Sequence, residues 1–243
     1  MARLAALVFS ENVKKGAYVN IGTGLPEEAC RMLYEAGLLK DVTVFTESGV
    51  IGGLPAPGVF FGASACPKKM VTSPEIFRLC ATDLDVTMLG VLEADSEGNV
   101  NVSKRGNGPK NYVGPGGFID ITTGAKIIVF VTTWMARSEI AIENGKIAIK
   151  QPGRAKFIDK VSEITFSGKQ ALKAGKQVFY VTTVGVFHLT ERGMELVRVI
   201  PGVDIQRDIL SASPMKIVLP ESGQVPVDDE SVVTGRGFKL SYK

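Results

Sequence analysis

One carboxylate stands out among the residues that could do chemistry. Glu47 follows the β-branched run Val42-Thr43-Val44-Phe45-Thr46 and precedes the turn Ser48-Gly49-Val50-Ile51-Gly52-Gly53. Val, Thr and Phe suit a strand buried on both faces. The glycines end it and leave room for a ligand to approach the backbone. Glu47 is thus expected at the carboxyl end of a strand, where open α/β sheets hold their ligands. Two readings fit such a residue. It is a solvated carboxylate at a strand end, or a carboxylate in a cradle of backbone donors, used as nucleophile or base.

The other reactive types point elsewhere. Cys30, Cys66 and Cys80 are odd in number and lack CxxC spacing, which argues against a disulfide framework and a metal site and for a reducing, cytoplasmic setting. Cys30 reads as a small core residue of a helix. The single histidine, His188, sits in the strand-like Val186-Phe187-His188-Leu189-Thr190 without an evident orienting partner, so it reads as structural and a Ser-His-Asp triad is a poor fit. A net charge of +3 with no basic-aromatic cluster excludes nucleic acid as the expected partner. Lys104, Arg105 and Lys110 form a loose basic patch, either a solvated loop or a contact for a phosphorylated small molecule. The apolar piece Leu4–Phe9 is too short for a membrane span and lacks a signal-peptide cleavage pattern, so no membrane association is expected.

The elements that must position Glu47 can be read in order. At 243 residues, with 45% hydrophobic and 22% charged content, the chain suits one large α/β domain or two small ones. A helix over 3–15 stops at Gly16. A strand over 17–21 runs into Gly22-Thr23-Gly24 and a helix opened by Pro26 with Glu27 and Glu28 in its first turn, closed at Gly37. With the strand before Glu47 this makes a βαβ unit, and parallel strands share a carboxyl edge, so Gly22–Gly24 and Glu47 are expected at one edge. Gly52–Pro67 is a long Gly/Pro/Ala loop whose Phe60 and Phe61 argue for order and packing near the site. A short helix runs from Ser73 to Cys80 and a buried strand over 84–89. Glu93–Gly98 reads as a turn. Gly114-Pro115-Gly116-Gly117 then gathers amides before a short helix and the strand 126–132. Beyond Thr133 come the hairpin 140–149 with Asn144-Gly145 as its turn, then strands over 161–166, 178–183, 186–189 and 195–200. The expected fold is an open, mainly parallel α/β sheet with flanking helices and antiparallel strands added in the C-terminal third. It is read as a single domain over 1–219 with a polar tail, 220–243, either mobile or docking.

A series of blocks now becomes recognisable. NIGTGLPEE (20–28), TESGVIGG (46–53), LPAPGVFFGAS (54–64), LDVTMLG (84–90), DSEGNVNVS (95–103), GPGGFIDIT (114–122), KFIDKVSEITFSG (156–168) and LTERGMELVRVIPGVDIQRDIL (189–210) fall in order. The chain resembles the family I coenzyme A transferases, at their β subunit or the second half of fused forms, in the acetate/propionate/3-oxoacid branch. The resemblance implies the CoA-transferase/phosphosugar-isomerase-like fold and makes Glu47 the nucleophile of a ping-pong transfer of CoA between an acyl-CoA and a free carboxylic acid, through a glutamyl-CoA thioester. It implies an oxyanion and CoA-contacting role for Gly116 and Gly117, and for Gly22, Thr23 and Gly24, with Ser48, Gly49 and Asp85 in support. Asp85 is expected close to Glu47. CoA and its esters enter as substrates, with no permanently bound cofactor. Leu79-Cys80-Ala81-Thr82-Asp83 replaces a glycine-rich run, which bears on acyl preference. The α half's signature does not occur in the chain, so an α-subunit partner in an αβ or α2β2 hetero-oligomer is implied. An acyl-CoA hydrolase subunit and a non-catalytic CoA-ester-binding module remain open alternatives.

Overall fold

The computed structural model describes residues 1–106 and 108–243. They form two compact units. One comprises Ala2–Gly90, Pro115–Val131 and Lys239–Lys243 and carries Glu47; the other comprises Met1, Val91–Gly114 and Thr132–Phe238.

The Glu47 unit is built on strands in the order Ile127–Val131, Leu84–Leu89, Tyr18–Ile21, Thr43–Phe45, Val50–Ile51 and Lys69–Met70. The first four are parallel and the last two return antiparallel. Val19, Ile21, Val44, Phe45, Val86, Met88, Ile128 and Phe130 are buried, as a parallel sheet covered on both faces requires. The register sets Asn20 level with Phe45 and with Thr87. Helix Ala2–Asn12 packs Leu4, Val8 and Phe9 inward in contact with helix Leu25–Glu35, which buries Ala29, Cys30 and Leu33. The βαβ unit is therefore present as read, with the helix between two parallel neighbours.

Helix Ser73–Asp83 is longer than the sequence reading. Thr72 and Glu75 form a capping box, each side chain taking the other's backbone N–H. It packs against helix Phe118–Gly124. Gly124 permits that approach, because a Cβ there would lie 1.8 Å from the Cys80 carbonyl oxygen.

In the second unit, Gln177–Val181, Gly185–Thr190 and Gly193–Val199 form an antiparallel meander. Strands Glu139–Glu143 and Lys146–Gln151 form the expected hairpin, with Asn144 (φ 51°) and Gly145 (φ 78°) in the left-handed conformation that its two-residue turn demands. Trp134 stacks on Phe157 and Phe187 at 4.8 and 5.2 Å. Its Nε1 donates to the Asp208 carbonyl, and the Tyr180 hydroxyl donates to the Gly98 carbonyl, so these buried aromatics keep their polar tips bonded. His188 stacks on Phe179 across the meander, and burial lowers its pKa, in keeping with a structural role.

Two local expectations differ. Residues 161–166 are not a strand: the Glu93 and Asp95 carboxylates take the backbone N–H groups of Ser162 and Val161, leaving those groups nothing to offer a ladder. Strand Phe157–Ile158 pairs instead with Glu93–Asp95, a segment read as a turn. From Pro220 the chain packs back on the meander, with Val227 bridging to Val199 and with Val232 and Val233 buried. Among the described residues, no helix is long and apolar enough to cross a membrane.

Candidate active site

Glu47 is placed by a tight reversal. After strand Thr43–Phe45 the Gly49 N–H donates to the Thr46 carbonyl at 3.1 Å and the Thr46 N–H to the Val50 carbonyl at 2.9 Å. Glu47 and Ser48 thus occupy the centre of a β-turn at the carboxyl edge of the sheet. Two further ties hold the turn. The Ser73 hydroxyl donates to the Glu47 carbonyl at 3.1 Å, and the hydroxyls of Thr46 and Ser48 both donate to the Gly62 carbonyl. Gly49 adopts φ +103°, and its carbonyl receives the Val71 N–H.

The backbone N–H of Gly117 lies close enough to the Glu47 carboxylate to favour its ionised form. Burial raises the carboxylate's pKa above the ordinary value of 4.5, and the Gly117 N–H opposes that rise. The environment makes the carboxylate more basic than usual while giving it a fixed donor. A Cβ on Gly117 would stand 2.8 Å from Glu47 Oε2 and 2.7 Å from Cε1 of Phe77, so only a residue without a side chain lets the N–H come so close. At Gly116 the same construction reaches Oε2 only at 4.0 Å.

The structure thus brings Glu47, Ser48, Gly49, Gly116 and Gly117 together. Gly22-Thr23-Gly24 leaves the adjacent strand at the same carboxyl edge, where the Gly22 N–H donates to the Met88 carbonyl at 2.8 Å. The Thr23 hydroxyl donates to Glu27 Oε1 at 2.6 Å, and Glu27 Oε2 accepts the Gly58 N–H. Glu27, which the sequence marked only as a helix-dipole residue, therefore ties the glycine turn to the 52–67 loop.

That loop is ordered but does not fold its aromatics inward. Val59 is 95% exposed and Phe60 69%. The residue that lines Glu47 is instead Phe77, which the sequence did not single out. Cys80 lies in the same helix. Burial first, then the charges of Glu47 and Asp120, push its thiol up to about 11, so it stays protonated and unreactive near neutral pH.

Asp85 is the correction. It lies at the amino end of strand Leu84–Leu89, accepting the Tyr18 N–H at 2.9 Å and pairing with Lys126 at 2.7 Å. Thr87, two residues on, is level with Phe45 through Asn20, and Glu47 lies two residues beyond Phe45. Asp85 therefore lies at the edge of the sheet away from Glu47. Parallel strands send their amino ends to one edge and their carboxyl ends to the other. Asp85→Ala is expected to leave any activity of the Glu47 site within about twofold and to lower stability by about 1 kcal/mol through the unpaired Tyr18 N–H. Urea melts alongside steady-state kinetics check both.

Fold and site together define an α/β protein with a half-buried, backbone-cradled carboxylate at the carboxyl edge of its sheet. The coenzyme A transferase family matches residues 4–209, and the chain belongs to that family. It is 40% identical over 215 residues to caffeate CoA-transferase of Acetobacterium woodii, covering 86% of this chain and 40% of that protein. It is 41% identical over 201 residues to acetate CoA-transferase YdiF of Escherichia coli strain K12, covering 82% and 37%. The chain thus spans about two fifths of the length of these curated relatives. The solved acyl-CoA transferase YdiF of E. coli O157:H7, in its thioester complex with CoA, superposes with a TM-score of 0.86 at 34% identity, over 100% of this chain and 46% of that one.

Proposed function

We propose that the chain is the β-type half of a CoA-transferase that moves CoA between a short-chain acyl-CoA and a free carboxylic acid, with Glu47 as covalent carrier and an α-type half completing the site. The observation that carries this reading is the Glu47 carboxylate, half-buried at the carboxyl edge of the sheet with Gly117 packed against its Oε2. The existence of a CoA thioester complex of YdiF supports it.

The chemistry balances without an external proton. The Glu47 carboxylate attacks the acyl thioester carbonyl, the C–S bond breaks, and CoA thiolate leaves behind an acyl-glutamyl anhydride. The thiolate then attacks the glutamyl carbonyl, the anhydride C–O bond breaks, and the first acid departs as carboxylate. Glu47 now carries CoA as a thioester. A second carboxylate reverses both steps and leaves as the new acyl-CoA. During attack on the glutamyl carbon, negative charge collects on the glutamyl oxygen. The Gly117 N–H beside the resting carboxylate is a backbone donor within reach of that charge.

The test is mass spectrometry of the Glu47 peptide after incubating the chain, co-expressed with its complementing half, with acetyl-CoA. A CoA-sized adduct on Glu47 that disappears on adding acetate is expected. Release of free CoA with no adduct would favour hydrolysis instead.

A further inference from the structure

We infer that Phe77 is the positioning residue that keeps water from the Glu47 carbonyl carbon and so holds the site to transfer rather than hydrolysis. This rests on the covalent reading above.

Helix Ser73–Asp83 buries Ile76 and Cys80, four residues apart on one face, and these hold the helix down. Phe77 lies beside that stripe and is half-buried. The position a Gly117 Cβ would take is 2.7 and 2.8 Å from Phe77 Cε1 and Cζ and 2.8 Å from Glu47 Oε2. The ring edge and the carboxylate oxygen therefore flank the space of a single atom. The placement is fixed from both ends. One turn before Phe77, the Ser73 hydroxyl holds the Glu47 carbonyl, and one turn after it the Cys80 carbonyl sits against Gly124. An apolar edge held beside a carboxylate removes water from one side of it without offering a hydrogen bond. Val59 and Phe60 of the 52–67 loop are exposed, whereas the Phe77 ring edge stands beside the carboxylate.

Water exclusion matters at one step. In the glutamyl-CoA form, water can add to the glutamyl carbonyl, forming a C–O bond. The C–S bond then breaks, one water proton goes to the departing thiolate, and the other ends on the Glu47 carboxyl group. The products are free CoA and regenerated Glu47, and the thioester's energy is lost.

The experiment forms the Glu47–CoA adduct on the assembled enzyme with acetyl-CoA, removes free acid by rapid desalting, and follows adduct decay without acceptor. Decay about tenfold faster is expected in Phe77→Ala and in Phe77→Gln, which keeps bulk but admits water, and within about twofold of wild type in Phe77→Leu. The transfer rate to added acetate, measured in parallel, separates a wetter site from a damaged one, because general damage slows both reactions. Melting curves establish folding, and Phe77→Gln carries the test if the alanine variant does not assemble. Unchanged adduct lifetimes in the alanine and glutamine variants overturn the role of Phe77 while leaving covalent transfer intact. A wild-type enzyme that never forms the adduct overturns the covalent reading, and the Phe77 inference with it.

Discussion

Replacing Glu47 by glutamine should lower CoA transfer by at least about 10⁴-fold, the scale seen when a covalent nucleophile is removed. At the same time it should raise thermal stability at neutral pH. The first effect is chemical: an amide has no anionic oxygen to open the thioester. The second follows from linkage. Glu47's folded-state pKa lies above its ordinary value of 4.5, chiefly through burial, so between the two values the folded chain binds more protons than the unfolded one. Stability associated with this group is therefore full below pH 4.5 and lost as pH rises through the raised value. Glutamine keeps an oxygen for the Gly117 N–H and carries no charge to desolvate. Its melting temperature should exceed that of wild type at pH 7, and the gap should close as pH falls toward 4.5. The wild-type pH–rate profile should show an acidic limb displaced above 4.5 for the same reason, since the nucleophile must be ionised. Differential scanning calorimetry across pH, with initial-rate assays of the assembled enzyme, measures all three. A glutamine variant less stable than wild type at pH 7 would show that Glu47 is not under strain from burial.

The parts of this site that were legible in the sequence are those set by local pattern. A β-branched run followed by Glu-Ser-Gly, and a second strand followed by Gly-Thr-Gly and a Pro-initiated helix, define two parallel strands whose ends must meet at one edge. The GPGG before a helix was readable as a gathering of amides for the same reason. What was not legible depends on distance along and between elements. Resemblance places Asp85 near Glu47, yet it is the second residue of its strand. In a parallel sheet that position belongs to the edge away from the carboxyl ends, a constraint the strand boundaries already contained. Phe77 is 30 residues from Glu47 and 40 from Gly117. Its helix is brought to the site by contacts between distant elements, at Gly124 of the neighbouring helix and at the Glu47 carbonyl. The nearest local clue was Thr72-Ser73-Pro74-Glu75, a capping box that fixes where that helix begins and hence which way Phe77 points. Residues 161–166 alternate like a strand, but alternation says nothing about the carboxylates of Glu93 and Asp95 some 70 residues upstream that take two of their N–H groups. Glu27 likewise had a sufficient local role in its helix, and its grip on Gly58 became visible only in three dimensions.

Gly117→Ala should lower kcat by about 10²- to 10³-fold, the range for loss of one preorganised oxyanion donor, with stability held within about 1 kcal/mol. Gly117 has φ −79° and ψ 5°, a negative-φ conformation open to alanine, so the substitution needs no left-handed backbone. Its effect is confined to the methyl group. That methyl would need to stand 2.8 Å from Glu47 Oε2 and 2.7 Å from the Phe77 ring, so the carboxylate, the ring or the Gly117 amide must move. Each of those movements separates the Gly117 amide from the glutamyl oxygen. Gly116→Ala is the internal control because the physics is reversed. There φ is +57°, which an alanine adopts at a cost of about 1–2 kcal/mol, while the new Cβ meets Oε2 at an unforced 4.0 Å. The neighbouring substitutions should therefore separate. Gly117→Ala should lose transfer while melting close to wild type, and Gly116→Ala should melt lower while keeping most of its transfer rate. Parallel measurement of kcat, KM for acetyl-CoA and melting temperature decides the matter. Equal losses of activity in the two variants would mean that the loop acts as a whole and that no single amide is responsible for the charge on Glu47.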